Sequence, residues 1–145
     1  MANSFKLQPV LKHRGLLEDQ ARQRLAAALN AESALRTRIE EEQEALASLQ
    51  ADLRRKQMHG LSVQDLLLYE SHIEHQGRVL RYLGQEWEVL EQEVASCRLA
   101  LCKTSQDRQL LEKLKSRHET EEQQRQQQRE TRMLDEIALQ FRGVS

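Results

Sequence analysis

The stretch Leu53-Arg54-Arg55-Lys56-Gln57-Met58-His59-Gly60-Leu61-Ser62-Val63-Gln64-Asp65-Leu66 decides the fold. Before it, Leu25, Ala28, Glu32, Leu35, Ile39, Glu42, Leu46, Leu49 and Leu53 recur at steps of three and four. After it the same rhythm resumes with Leu66, Tyr69, Ile73, Gln76, Leu80, Leu83, Trp87, Leu90, Val94, Cys97, Leu101 and Thr104. Steps of three and four average about 3.5 residues, the period of a helix that keeps one face on a partner helix. Gly60 supplies a left-handed helix stop. Arg54, Arg55 and Lys56 put positive charge at the negative end of the first helix dipole. Ser62 then opens a second helix, with Asp65 three residues on as the carboxylate of a capping-box-like start.

A break this short obliges the two helices to turn back antiparallel. The first is expected over residues 9–57 and the second over 63–141, joined by a turn at 58–62. Pro9 is tolerated in a first turn, and Ser4 stands upstream as a cap. Gly15 costs the first helix about 1 kcal/mol against alanine. At 1.5 Å per residue the arms measure about 70 Å and about 115 Å. The expected fold is therefore all-α: an antiparallel coiled-coil hairpin in a single domain over 1–145, its second helix longer and overhanging at the C-terminus.

Counting outward from the turn sets Leu46 near Ile73, Ile39 near Leu80, Leu35 near Leu83 and Leu25 near Val94. Glu42 and Gln76 then meet at one depth, a polar layer of the kind that fixes register. Toward the termini the seam positions become Arg14 and Glu18 on one helix, Thr104 and Arg108 on the other. The expectation is a hairpin well zipped near its turn and loosened at its open end. Gly77 and Gly84, seven apart, share a flank of the second helix; simple tolerance by a long helix is favoured over close approach of another backbone.

Composition agrees. The 145 residues are 31% charged and 3% aromatic, with one proline, which suits long helices better than a globular core. The formal net charge of −1 gives no general affinity for polyanions, and no dense basic segment stands beside a short zipper, so nucleic acid is not an expected partner. The basic N-terminal stretch (Lys6, Lys12, Arg14, Arg22, Arg24) reads as a solvated helix face. Cys97 and Cys102 form no disulfide framework; Cys97 falls on the seam as a small hydrophobe. No apolar h-region marks a signal peptide, and no run approaches the roughly 20 apolar residues of a membrane span. A cytoplasmic location fits.

Catalytic constellations are missing. The five glycines form no phosphate-cradling loop. His72 and His75 lie three apart near Glu70 and Glu74, but no third ligand converges, and a solvated face is the better reading. Carboxylates on a helix without a concave pocket are not desolvated. The expectation is no enzyme, no metal, no cofactor and no small-molecule substrate. After Leu114 the chain turns to Glu, Gln and Arg with opposite charges at helical spacing, which favours helix over disorder. Met133, Leu134, Ile137, Ala138 and Phe141 then form an amphipathic set beyond the reach of the first helix.

In order and spacing the chain resembles the FliJ family of the bacterial flagellar export apparatus. The resemblance rests on Phe5-Lys6-Leu7, Val10-Leu11 and Arg14, followed by Glu18 and Ala21. It continues with Leu66, Tyr69 and Ile73; with Glu91, Val94, Arg98 and Leu101; with Leu111-Glu112-Lys113-Leu114-Lys115; and with Leu134-Asp135-Glu136-Ile137-Ala138. The resemblance implies a hairpin similar to the central stalk of rotary ATP synthases. It implies binding to the export ATPase ring, FliI, with promotion of its assembly and activity, and contact with the export gate protein, FlhA, at the inner-membrane export apparatus. Export chaperones are further implied partners. The implied ATPase contacts are Leu7, Leu11, Arg14, Leu134, Asp135, Glu136, Ile137 and Phe141. The implied gate contacts are Tyr69, His72, Ile73, Gln76, Val79 and Leu83, where His72 and Gln76 are polar departures.

Two rivals remain: the equivalent stalk of a virulence secretion system, and a homodimeric coiled-coil spacer. Light scattering on a sizing column is expected to give the mass of a single chain; a stable dimer at micromolar concentration would favour the spacer.

Overall fold

A computed structural model describes residues 5–144, the last by its backbone alone, so the Ser4 cap lies outside the described residues. The chain is an antiparallel helical hairpin of α1, Gln8–His59, and the longer α2, Val63–Val144. Gly60 terminates α1 with φ at +92°, the left-handed stop anticipated from its position. The Ser62 hydroxyl accepts a hydrogen bond from the Asp65 N–H at 3.2 Å, and the Ser62 carbonyl accepts from Leu66 N–H at 3.0 Å. One side chain thus satisfies a donor that the helix leaves orphaned. α1 is entered through a turn in which Gln8 N–H donates to the Phe5 carbonyl at 3.1 Å.

Two compact units divide the chain: Arg22–Ala100, which contains the turn, and Met1–Ala21 with Leu101–Ser145. In the turn unit the seam is apolar. Leu83 is fully enclosed, with Val94 and Ala28 also buried. Enclosing a leucine side chain is worth about 1.5–3 kcal/mol. Leu35, Ile39, Leu46 and Leu49 of α1 and Ile73, Leu80 and Leu90 of α2 are half-buried along the same line. The expected polar layer is present: the Gln76 amide donates to the Glu42 carbonyl at 3.1 Å and to the Glu42 carboxylate. Two cation contacts cross the helices on either side of it. The Arg36 guanidinium lies 5.4 Å from the Trp87 ring centroid and the Lys56 ammonium 5.1 Å from that of Tyr69. A hydrogen bond with Tyr69 holds the Lys56 ammonium above its ordinary value.

The terminal unit corrects the expectation of a loosened open end. Glu18 is 1% exposed, and its carboxylate accepts from the Arg108 guanidinium. Ala21 is buried beside this level, Arg14 pairs with Asp107 at 3.5 Å, and the Phe5 and His118 rings meet at 5.8 Å. The ion pairs there stand beside half-buried Leu11, Leu17, Leu101 and Leu111. Polar residues at seam positions suggested decay because periodicity carries no information on whether facing charges are opposite. Past His118, α2 continues as a single helix, and residues 123–143 are exposed throughout.

A Cβ built on Gly77 or Gly84 meets nothing within 4 Å, so no other part of this chain packs against either glycine. Urea unfolding followed by circular dichroism is expected to register opposite signs along the chain. Gly84→Ala raises stability by about 1 kcal/mol. Gly60→Ala lowers it by about 1–2 kcal/mol through the left-handed backbone, and Leu83→Ala lowers it by about 2–5 kcal/mol.

Candidate functional site: the helix faces left for partners

Among the described residues no group of three or more His, Cys, Asp or Glu side chains is placed to hold a metal ion. No helix is long and apolar enough to cross a membrane. One open groove of about 480 Å³ runs beside the seam of the turn unit, lined by Ala31, Leu35, Val89 and Leu90 with Glu86 and Glu93. It is too open to withdraw a carboxylate from water, which acid–base chemistry at a shifted pKa requires.

The terminal residues expected to form one contact set fall into two groups. Leu7 and Leu11 lie near the start of α1, Leu7 40% exposed and Leu11 half-buried, and Arg14 is engaged with Asp107. Leu134, Asp135, Glu136, Ile137 and Phe141 lie on the overhanging part of α2, all exposed. His118 marks the level of Phe5, and Leu134 is about 24 Å farther along α2 at 1.5 Å per residue. The two groups are thus neighbours along one end, not one cluster.

The overhang carries the most concentrated apolar exposure. Met133, Leu134 and Phe141 are 62%, 66% and 75% exposed, with Ile137 and Ala138 between them on the same side. The helix that bears them carries local charge pairs of Arg125 with Glu121 and Glu122. Such pairs supply a few tenths of a kcal/mol each and keep an isolated helix extended without a tertiary partner. Leu139 is also exposed but points across the helix from Ile137, an addition that the sequence pattern did not single out.

The residues expected to face the gate divide differently. His72 is exposed, and Tyr69 and Val79 are half-buried. Ile73 and Gln76 face the seam, Gln76 through its bonds to Glu42. Leu83 has no exposed surface and meets no partner while the hairpin is closed. Beside this set, Leu68, Tyr82 and Val89 are about 60% exposed or more and widen the outer face of α2. Hydrogen bonding to Glu86 holds the Tyr82 hydroxyl above its ordinary value.

The ionic layer of the terminal unit was read from sequence as weakness, and it places a buried carboxylate against a guanidinium of the facing helix. Arg108 bridges Glu18 of α1 and, at 2.7 Å, Glu112 on its own helix. Hydrogen bonds first to Glu18 and then to Glu112 hold the guanidinium further above its already high value. Opposite charge at facing seam positions was the signal that could have found it.

The polar layer at Glu42 and Gln76 is expected to set register at a cost in stability. The double variant Glu42→Leu/Gln76→Leu should raise the unfolding free energy measured in urea by about 1–2 kcal/mol and let cysteine pairs engineered across the seam cross-link in more than one register. A loss of stability would show that the layer contributes net cohesion instead.

In comparison with known proteins, the family described as Flagellar FliJ protein matches residues 3–142. No curated protein and no solved structure matches the chain.

Proposed function

We propose a stalk role from this premise: the chain belongs to the flagellar FliJ protein family, coiled-coil proteins related to flagellar export. On this reading it is a non-catalytic component of the export apparatus. Its terminal end binds the export ATPase ring, FliI, and promotes the ring's assembly and activity. The outer face of α2 in the turn unit meets the gate protein, FlhA, and export chaperones are further partners. The protein then sits at the cytoplasmic side of the inner membrane, held by these contacts.

The observation that carries the reading is the overhang. Met133, Leu134, Ile137 and Phe141 are exposed apolar side chains on a helix that extends past its intramolecular partner. Apolar side chains clustered on one helical face are the usual anchor of a helix seated in a groove. Asp135 and Glu136 between them add charge that orients such a contact and speeds encounter. Leu7 and Leu11, on α1 of the same unit, extend the surface toward the hairpin. A ring-activating protein works by binding the assembled state more tightly than the separate subunits; the overhang offers surface for that difference. For the gate, Tyr69, His72 and Val79 supply the accessible part of the face. A homodimeric spacer is the weaker reading, because the seam that would join two chains is already filled within one.

Hydrolysis by the export ATPase, measured against increasing concentration of this protein, tests the proposal. The intact chain is expected to stimulate, and a chain ending before Met133 to stimulate at least about tenfold less, the loss of about 1.4 kcal/mol of contact energy. Ile137→Asp should act like the truncation while leaving thermal stability within about 0.5 kcal/mol, as for other exposed positions. No stimulation by the intact chain sinks the activating role; equal stimulation by the truncated chain removes the role given to the overhang.

A further inference from the structure

The turn itself has no part in the contacts proposed above, and it exposes apolar side chains on both sides of the break. Met58 is 86% exposed, Val63 73% and Leu67 59%. Val63 and Leu67 stand four apart and share one face of the first turns of α2. Met58 is the next-to-last residue of α1, two places before the Gly60 stop. None of the three lines the groove of the turn unit; they project from its end. Arg54, Arg55 and Lys56 lie four to six residues before Gly60, about 6–9 Å back along the helix. Between residues 54 and 69 these three cations meet a single carboxylate, Asp65, although the whole chain has a formal net charge of −1. Asp52 pairs with Arg55, whose side chain stays 72% exposed, and the Lys56 ammonium lies over the Tyr69 ring. The helix dipole accounts for positive charge in the last turn of α1. It gives no reason for three apolar side chains standing in water beside that charge.

We propose that the turn is a peripheral membrane contact: Met58, Val63 and Leu67 enter the headgroup boundary of an anionic bilayer, and Arg54, Arg55 and Lys56 face its lipid phosphates. The match is one of charge. A locally cationic tip meets a surface that is negative over its whole area, and cations within about 10 Å of that surface lie inside the screening length. The apolar side chains add a short-range attraction that salt does not screen. A bilayer needs no cleft to receive them, since protruding side chains of different lengths each reach their own depth in it. A protein surface would have to supply a separate recess for each. No helix is long and apolar enough to cross a membrane, so the contact lies on the bilayer and does not span it. Three apolar side chains and three cations are two modest signals acting together, which makes the contact weak and reversible. It does not rest on the ring-binding proposal, whose surface lies in the terminal unit.

Flotation of the full-length protein with extruded vesicles tests this. Binding to phosphatidylcholine vesicles containing one-third phosphatidylglycerol is expected to be about tenfold or more tighter than to phosphatidylcholine alone, and to weaken as salt rises. Arg54→Gln/Arg55→Gln/Lys56→Gln should lose about tenfold in affinity for the mixed vesicles, with most of the salt dependence. Met58→Ser/Val63→Ser should also lose about tenfold, through the apolar part of the contact. Circular dichroism is expected to show unchanged helix content in both, as for other exposed positions. Ile137→Ser/Phe141→Ser, on the overhang, should bind as the parent does. Met58→Trp in a Trp87→Phe background should shift its emission to the blue on binding and be quenched by brominated lipid. Equal binding to both vesicles, undiminished binding by Met58→Ser/Val63→Ser, loss with Ile137→Ser/Phe141→Ser, or an unshifted Met58→Trp emission would each overturn the proposal. Binding to neither vesicle would overturn it too, and would leave the turn to a protein partner.

Discussion

A seam one side chain wide has no second layer behind it. In a globular core a poor contact is backed by neighbours on all sides; here each level of the hairpin is closed by a few residues facing one another. Few side chains are fully enclosed as a result, and among the described residues Leu83 is the one apolar side chain with no exposure at all. Every level must then settle its own chemistry, since nothing beyond it supplies compensation. The alternation of apolar and polar levels follows from this constraint.

Two polar levels illustrate the alternatives. Glu42 and Gln76 form a hydrogen-bonded layer within an apolar stretch, where a shift of register would strand both groups among leucines. Glu18 and Arg108 form an ionic layer in a unit whose Leu11, Leu17, Leu101 and Leu111 are half-buried. The first makes one alignment better than its neighbours. The second ties α1 to α2 through opposite charges. Location in the seam, not the strength of a pair taken alone, separates the two roles.

The same constraint shapes what the molecule offers to others. Among the described residues the surfaces that stand out are the open groove beside the turn-unit seam and the exposed overhang of α2. α2 outruns α1 beyond the level of Phe5 and His118, and its exposed Met133–Phe141 segment depends on its own helix propensity and on local charge pairs. The stalk reading proposed for this member of the flagellar FliJ protein family rests on that overhang.

The sequence alone determined the elements. Alternating steps of three and four, the stop at Gly60 and the cap at Ser62 are local features, and local features act through near neighbours in the chain, so the helices, their turn and the level of Glu42 with Gln76 were legible in it. The overhang followed from arithmetic on the two helix lengths. What it did not reveal was the state of positions whose meaning depends on a residue some ninety places away, the separation of Glu18 from Arg108. A charge on a seam looks like a defect until its partner is known, and a leucine at a partner-facing position, such as Leu83, looks available until the opposite helix covers it. Only the tertiary structure decided these, because burial and charge pairing are properties of two surfaces brought together, and the pattern along either helix describes one surface at a time.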